Sequence, residues 1–134
     1  MKPSVFVSIF LLWGSFTSCE KPKPADYAMY VNIEDWTHKF QPSSTKSYPI
    51  KLTNRMKWDF NGEVEINILA GKDTLIKEWE SLKVPKGLED TVWISVQMPE
   101  AEGTYEVVAI AEAPDGHLVK SRRIIEVDEP ITLP

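Results

Sequence analysis

TVWISVQMPEAEGTYEVVAIA, residues 91–111, contains the two strands that decide the fold. In its first half every second residue is apolar, and Thr91, Trp93 and Ser95 fall between the apolar positions. Alternation with a period of two is typical of a strand that buries one face. Pro99 and Gly103 interrupt the pattern, which then resumes. The predicted inward-facing residues are Val92, Ile94, Val96 and Met98, followed by Tyr105, Val107, Ala109 and Ala111.

The same alternation extends outward in both directions, and turn signals separate its segments. The further predicted strands are 27–36, 48–54 with Tyr48, Ile50 and Leu52 inward, 64–68, a short edge strand at 74–79, and 119–127. The predicted turns are Asn61-Gly62, 71–73, 84–87 and Asp115-Gly116, and a polar loop is predicted at 39–46. The last strand has two possible phases because Ile124 and Ile125 are adjacent.

No segment after residue 26 has a convincing helical period, so the chain is predicted to be all-β. Seven strands in about 100 residues predict an immunoglobulin-like β-sandwich over residues 27–128, with a short tail at 129–134. Tyr105 begins the sixth strand and is predicted to form a tyrosine corner, in which its hydroxyl bonds back to the connecting loop. The chain has one cysteine, which excludes an intramolecular disulfide. The core must therefore form by burial alone.

Residues 1–18 have the three-part pattern of a secretory signal: a lysine, an apolar run and a stretch of small residues. The apolar run is shorter than the roughly 20 residues that cross a hydrocarbon core. Phe16-Thr17-Ser18-Cys19 resembles the bacterial lipobox, although a leucine is commoner than Phe16 at its first position. The resemblance implies cleavage before Cys19 and acylation of that cysteine. The alternative is a plain secreted protein with an incidental free thiol.

Cleavage would leave 116 residues (134 − 18), of which 14 are basic and 20 are acidic, a net charge of about −6. This balance argues against nucleic acid as a partner, because nucleic-acid binding depends on basic patches. Two or more acyl chains hold a protein persistently on a membrane. Residues 19–26, with alternating lysine and proline, are predicted to be an extended tether that holds the domain clear of the lipid headgroups.

Several turn and core motifs between Ser47 and Val127 resemble the immunoglobulin-like modules found beside catalytic domains in family 2 glycoside hydrolases and other Bacteroidetes carbohydrate enzymes. The motifs are Leu52-Thr53-Asn54, residues 60–66, Val84-Pro85-Lys86-Gly87, Met98-Pro99, Gly103-Thr104-Tyr105 and Asp115-Gly116. Such modules are mostly non-catalytic. The resemblance therefore implies a setting in polysaccharide use, and it carries over no catalytic residue.

The residues themselves predict no catalytic site, no metal site and no cofactor. His38 and His117 lie in different parts of the chain, too few for a zinc site or a nucleophile–base pair. Glu63 and Glu65 share a strand face and could serve glycoside hydrolysis, although outward-facing glutamates are ordinary on a solvated sheet. Asp115, Glu100 and Glu102 do not form a calcium-binding loop pattern.

Exposed tryptophans are the candidate binding residues, because sugars stack on aromatic rings through their apolar C–H faces. Trp93 is the first candidate, since the neighbouring Thr91 and Ser95 are polar and the other face of its strand is apolar. Trp58 and Trp79 are weaker candidates, in a loop and on the edge strand. The alternative is that these rings cover the sandwich ends or shield its edges.

The predicted function is a lipid-anchored, non-catalytic accessory protein of the outer membrane that acts in polysaccharide binding, degradation or uptake. The second hypothesis is a structural or assembly module that binds another envelope protein through an exposed sheet edge. A small enzyme is the third.

Overall fold

The computed structural model describes residues 28–129. The predicted signal at 1–18, the tether with Cys19, and residues 130–134 of the tail lie outside this range. Residues 28–129 form eight strands: β1 Met29–Ile33, β2 Lys39–Phe40, β3 Thr45–Asn54, β4 Phe60–Ala70, β5 Asp73–Val84, β6 Glu89–Gln97, β7 Gly103–Glu112 and β8 Leu118–Val127. Within residues 28–129 no helix is long and apolar enough to cross a membrane.

The strands form two sheets. The smaller sheet has the order β1-β3-β6 and the larger has the order β2-β8-β7-β4-β5. All pairings are antiparallel except the short parallel pairing of β2 with β8. The all-β prediction is therefore confirmed, and the arrangement is that of an immunoglobulin-like sandwich. It contains eight strands rather than seven, because two residues of the predicted loop at 39–46 pair with the end of β8.

The core lies between the two sheets and uses the residues that the alternation predicts. Both central strands bury every second side chain: Tyr48, Ile50 and Leu52 of β3, and Tyr105, Val107, Ala109 and Ala111 of β7. The phase of β8 is resolved, with Ser121, Ile125 and Val127 buried and Ile124 exposed. Burial raises the pKa of the Tyr48 hydroxyl, and the negative charge of Asp35 adds to this effect.

The predicted turn at Asn61-Gly62 is wrong. Both residues lie inside β4, where they pair with Lys83 and Leu82 of β5. A Cβ atom at Gly62 would come within 3.1 Å of the Phe60 ring. The glycine therefore makes room for a buried aromatic ring rather than for a reversal of the chain. Consequently β5 is also longer than the predicted strand at 74–79, while β1 is shorter than the predicted strand at 27–36.

The sandwich has two ends, which we name by their distance from the start of the fold. The near end is where β1 begins, and it contains Ala28 and the loops at 55–59, 85–88 and 113–117. The far end contains the loops at 41–44, 71–72 and 98–102. There the Tyr105 hydroxyl donates to the Ala101 carbonyl at 2.5 Å, which confirms the predicted tyrosine corner.

Candidate functional site

The three candidate tryptophans are all exposed, and the structure does not bring them together. Trp93 is 61% exposed on the outer face of the smaller sheet, and Trp79 is 54% exposed on the outer face of the larger sheet. Trp58 is 52% exposed in the near-end loop that joins β3 to β4. A single ligand-binding surface therefore cannot use all three rings.

Trp93 lies in the middle of β6, opposite Pro49 of β3. The Pro49 carbonyl accepts a hydrogen bond from the Glu34 amide on the side away from β6. Trp93 and Pro49 are therefore a non-hydrogen-bonded pair, the closer of the two antiparallel pairings. Pro49 is buried although it points outward. Trp93 and Pro49 are therefore adjacent apolar residues, of which the indole is the exposed one, on a sheet face that also carries Tyr30 and is otherwise polar. We call this pair of residues the apolar platform.

A proline is unusual in the central strand of a sheet, because it cannot donate to the ladder. Here the missing N–H faces β1, which ends at Ile33, one residue before the partner Glu34. The reciprocal bond from residue 49 to the Glu34 carbonyl is therefore missing, at the point where β1 has already ended. The Pro49 ring thus lies beside Trp93 with the loss of one ladder bond at the end of a strand.

A polar cluster lies beside this platform on the same sheet face, formed by Asn32, Glu34, Lys51 and Glu89. Lys51 Nζ is 3.9 Å from carboxylate oxygens of both Glu34 and Glu89. The Asn32 amide donates to Glu34. Both donors and acceptors are thus present next to an exposed indole, which is the combination that sugar hydroxyls and an apolar sugar face require. We call these residues together with Trp93 and Pro49 the Trp93 face.

Trp79 lies within β5, so the prediction that it ends a short strand is wrong, while its position on an edge strand is confirmed. It pairs with Glu65 of β4, whose carboxylate is 3.5 Å from Lys77 Nζ. Glu63 and Glu65 do share the outer face, in a groove that Glu112 also lines. The ion pair gives Glu65 an ordinary structural role there.

Trp58 borders a cleft of about 450 Å³ at the near end, whose lining includes Met29, Met56, Pro114 and His117. Asn54 shapes the loop that carries it, and the sequence did not reveal this role. The buried Asn54 amide donates to the carbonyls of Trp58 and Val84, at 3.1 and 2.9 Å, while its oxygen accepts from the Met56 amide. One fully buried side chain therefore holds two near-end loops together.

Trp36 is the most exposed tryptophan of residues 28–129, at 73%, but its ring face is occupied. The Arg123 guanidinium lies 4.0 Å from the ring centroid. The same guanidinium donates to the Ile33 carbonyl at 2.7 Å and to the Asn32 side chain at 3.2 Å. Arg123 belongs to the larger sheet, and Asn32 and Ile33 to the smaller one. This Arg123 clasp therefore joins the sheets along one side of the sandwich.

Asp35 and Lys46 form the shortest ion pair of the described chain, at 2.6 Å, with both side chains about one-fifth exposed. The hydrogen bond from Lys46 lowers the pKa of Asp35 to about 2, and the backbone amide of Thr37 contributes. The pair fixes the loop between β1 and β2 and therefore also supports the segment that carries Trp36.

The histidines and the acids considered for metal binding are far apart. The His38 carbonyl accepts from Glu126 near the far end, while His117 lies in the near-end hairpin. Asp115 accepts from the His117 amide in that hairpin, and Glu102 accepts from the Glu129 amide at the far end. Residues 28–129 contain no group of three or more side chains that could hold a metal ion.

No family model and no curated protein matches the chain. Solved structures with a similar fold include a cycloisomaltooligosaccharide glucanotransferase from Paenibacillus sp. in complex with cycloisomaltoheptaose (TM-score 0.54, 14% identity, 75% of this chain and 13% of that one). They also include a β-glucosidase from Listeria innocua in complex with glucose (TM-score 0.55, 10% identity, 78% of this chain and 16% of that one).

A CARDB domain from Pyrococcus furiosus in complex with di-metal ions is similar over most of its own length (TM-score 0.53, 13% identity, 74% of this chain and 91% of that one). The chain spans less than a fifth of the two enzymes. At these identities the likeness establishes the sandwich fold alone.

Proposed function

We propose that the protein is a non-catalytic accessory protein of the cell envelope, lipid-anchored through Cys19, which binds polysaccharide on the Trp93 face. The observation that carries the proposal is a 61% exposed indole at the centre of a sheet face, beside Pro49 and the Asn32, Glu34, Lys51 and Glu89 cluster. An exposed indole beside hydrogen-bonding groups offers an apolar surface for the C–H face of a sugar together with partners for its hydroxyl groups.

The shape of the Trp93 face favours an extended, flat ligand over a small molecule. Ser47 and Ser95 pair on one side of the platform, and Lys51 and Thr91 pair on the other. The serine and threonine side chains are short, Lys51 is within ion-pair distance of Glu34 and Glu89, and the indole remains 61% exposed. A polysaccharide chain could stack one residue on Trp93 and place hydroxyl groups on the polar cluster. The two similar carbohydrate-active structures agree with this proposal.

The experiment is a binding screen of the mature chain, residues 19–134 with Cys19→Ala, by glycan array and affinity gel electrophoresis. The polysaccharide that binds is then titrated into the wild type and into Trp93→Ala. We expect a loss of about 1–3 kcal/mol in binding free energy, the scale of losing a large apolar contact. Trp79→Ala is the matched control, because it removes an equally exposed indole from the opposite sheet. Unchanged affinity of Trp93→Ala would refute the proposed site.

The lipid anchor is tested separately from glycan binding. Mass spectrometry of the amino-terminal peptide from membranes is expected to show acyl mass on Cys19, and Cys19→Ala is expected to give an unprocessed precursor or an unacylated species. An unmodified Cys19 at the wild-type amino terminus would contradict the anchor. It would leave the Trp93 face as a binding site of a secreted protein.

The free edge of β5 favours the second hypothesis, an assembly module. β5 has twelve residues and, within residues 28–129, pairs through hydrogen bonds with β4 alone. An unpaired edge can accept a strand from another protein. Ser81→Pro would block such an addition, so cross-linking in cells that depends on Ser81 but not on Trp93 would favour assembly over glycan binding.

A further inference from the structure

The near end exposes apolar side chains that no part of the core explains. Trp58 and Leu88 are each more than half exposed, in different near-end loops, and Leu118 is similarly exposed where β8 begins. Met56 and Met29 line the cleft between the loop that carries Trp58 and the hairpin at 113–117. Exposed apolar residues clustered at one end of a domain mark a surface that contacts a partner or a membrane.

The charges of the near-end loops suit an anionic surface. Arg55, Lys57 and Lys86 are exposed there. Asp59 and Asp115 are the acids of these loops, and each accepts a backbone amide, of Lys86 and His117 respectively. The far-end loops differ, because they carry two acids, Glu100 and Glu102, with Lys72 as their cation. Cations beside exposed aromatic and aliphatic groups are the composition of a membrane-surface contact.

The start of the fold lies on this same surface. Ala28 and Met29 line the cleft, so the chain from Cys19 reaches the domain at the near end. Even fully extended, the segment from Cys19 to Ala28 spans roughly 30 Å. An acylated Cys19 would therefore keep the near end within about 30 Å of the lipid headgroups, so that this end could stand clear of them or reach them.

From these observations we propose that the near end docks on the phospholipid surface, with Trp58 and Leu88 in the interfacial region and Lys57 and Lys86 at the phosphate groups. This inference rests on the lipid anchor of the proposed function and is independent of glycan binding. Docking would hold the sandwich upright on the membrane. The Trp93 face, on the flank of the sandwich, would then be open to the surrounding solvent.

The test uses the full-length protein purified from bacterial membranes and reconstituted into vesicles of phosphatidylcholine and phosphatidylglycerol that contain an acyl-chain-brominated phosphatidylcholine. Bromine quenches indoles that reach the membrane interface. We expect quenching in the wild type, most of it lost in Trp58→Phe and retained in the matched control Trp93→Phe. The charge reversal Lys57→Glu is expected to reduce quenching several-fold, whereas Lys72→Glu at the far end is expected to leave it unchanged.

The amino-terminal mass of the same preparation distinguishes the two possible failures. Acylated Cys19 with equal quenching in the wild type and Trp58→Phe overturns the docking surface and leaves the anchor standing. An unacylated amino terminus overturns the anchor and the docking surface together. Quenching that depends on Trp93 instead of Trp58 would mean that the flank lies on the membrane, which also contradicts the proposal.

Discussion

Trp36 and Trp93 are the two most exposed tryptophans of residues 28–129, at 73% and 61%, yet their surroundings differ. The Trp36 ring has the Arg123 guanidinium against its face, and that guanidinium is hydrogen-bonded to the neighbouring sheet. None of the aromatic or cation–π contacts within the described range involves Trp93. The exposed area of a ring is thus a poor guide to function until its contacts within the same chain are known.

The contacts of Trp36 indicate a structural role, whereas Trp93 is the residue proposed to bind a ligand, and stability measurements can test this difference. The expected decrease in the free energy of unfolding ranges from several kcal/mol for a core variant to very little for a variant on the Trp93 face.

The largest loss is expected at Ile94, the residue directly after Trp93. Its side chain is 1% exposed and faces the core. Ile94→Ala should lower the free energy of unfolding by about 2–5 kcal/mol, because it leaves a cavity between the sheets. Urea unfolding followed by fluorescence measures this. A loss below that of Trp93→Ala would mean that the phase of β6 is misassigned.

A smaller loss is expected when the clasp is removed. Arg123→Met keeps the aliphatic stem but leaves the Ile33 carbonyl and the Trp36 ring without their cation. We expect a loss of about 2–3 kcal/mol, the scale of hydrogen bonds to a charged group. Arg122→Met is the matched control, because the exposed Arg122 pairs with Glu106 on the outer face and should contribute less than about 1 kcal/mol. Equal losses in both variants would show that the clasp has no special role.

The loop that carries Trp36 is expected to respond to pH through Asp35. The folded-state pKa of Asp35 is about 2, below its ordinary value of 3.8. The carboxylate therefore stabilises the fold above about pH 4, and this contribution is lost as the pH falls towards 2. Asp35→Asn should lower stability by about 1 kcal/mol at pH 7, a value reduced for solvent screening. Unfolding measured at pH 7, 4 and 2 should show the two proteins becoming equally stable at the lowest pH. A difference in the free energy of unfolding that stays the same at all three pH values would exclude the ion pair as its cause.

A stability loss of similar size is expected at the far end, at a site that contains neither Trp36 nor Trp93. Tyr105→Phe removes the hydroxyl that donates to the Ala101 carbonyl and should lower stability by about 1 kcal/mol. Tyr30→Phe is the control, since the Tyr30 side chain is 45% exposed and its hydroxyl should contribute less than about 0.5 kcal/mol. Equal melting temperatures of the two variants would contradict the corner bond.

The sequence predicted the Trp93 face better than it predicted the clasp, and the reason is distance along the chain. The exposure of Trp93 follows from alternation within one strand, and the corner of Tyr105 follows from a local turn. The clasp joins Arg123 to Ile33, which are 90 residues apart, so no local pattern reveals it. The position of Pro49 opposite Trp93 could not be predicted either, because it depends on the register of β3 with β6.

The prediction of a turn at Asn61-Gly62 is wrong for a similar reason. Asparagine followed by glycine favours a hairpin turn locally, but Phe60 buries its ring against Gly62, and β5 pairs along the whole segment. Tertiary packing therefore overrides the local preference. The two-residue strand β2 could not be predicted either, because it is too short to show alternation and forms only through its pairing with β8.

The most direct measurement of the central claim combines a melting curve and a binding isotherm for Trp93→Ala and Trp36→Ala, with the polysaccharide identified in the screen. We expect Trp93→Ala to melt close to the wild type and to lose about 1–3 kcal/mol in binding free energy. Trp36→Ala should melt at a lower temperature, by about 1 kcal/mol in stability, and bind as the wild type does. The opposite pattern, with Trp93→Ala destabilised and its binding unchanged, would contradict the claim that the Trp93 face holds the ligand.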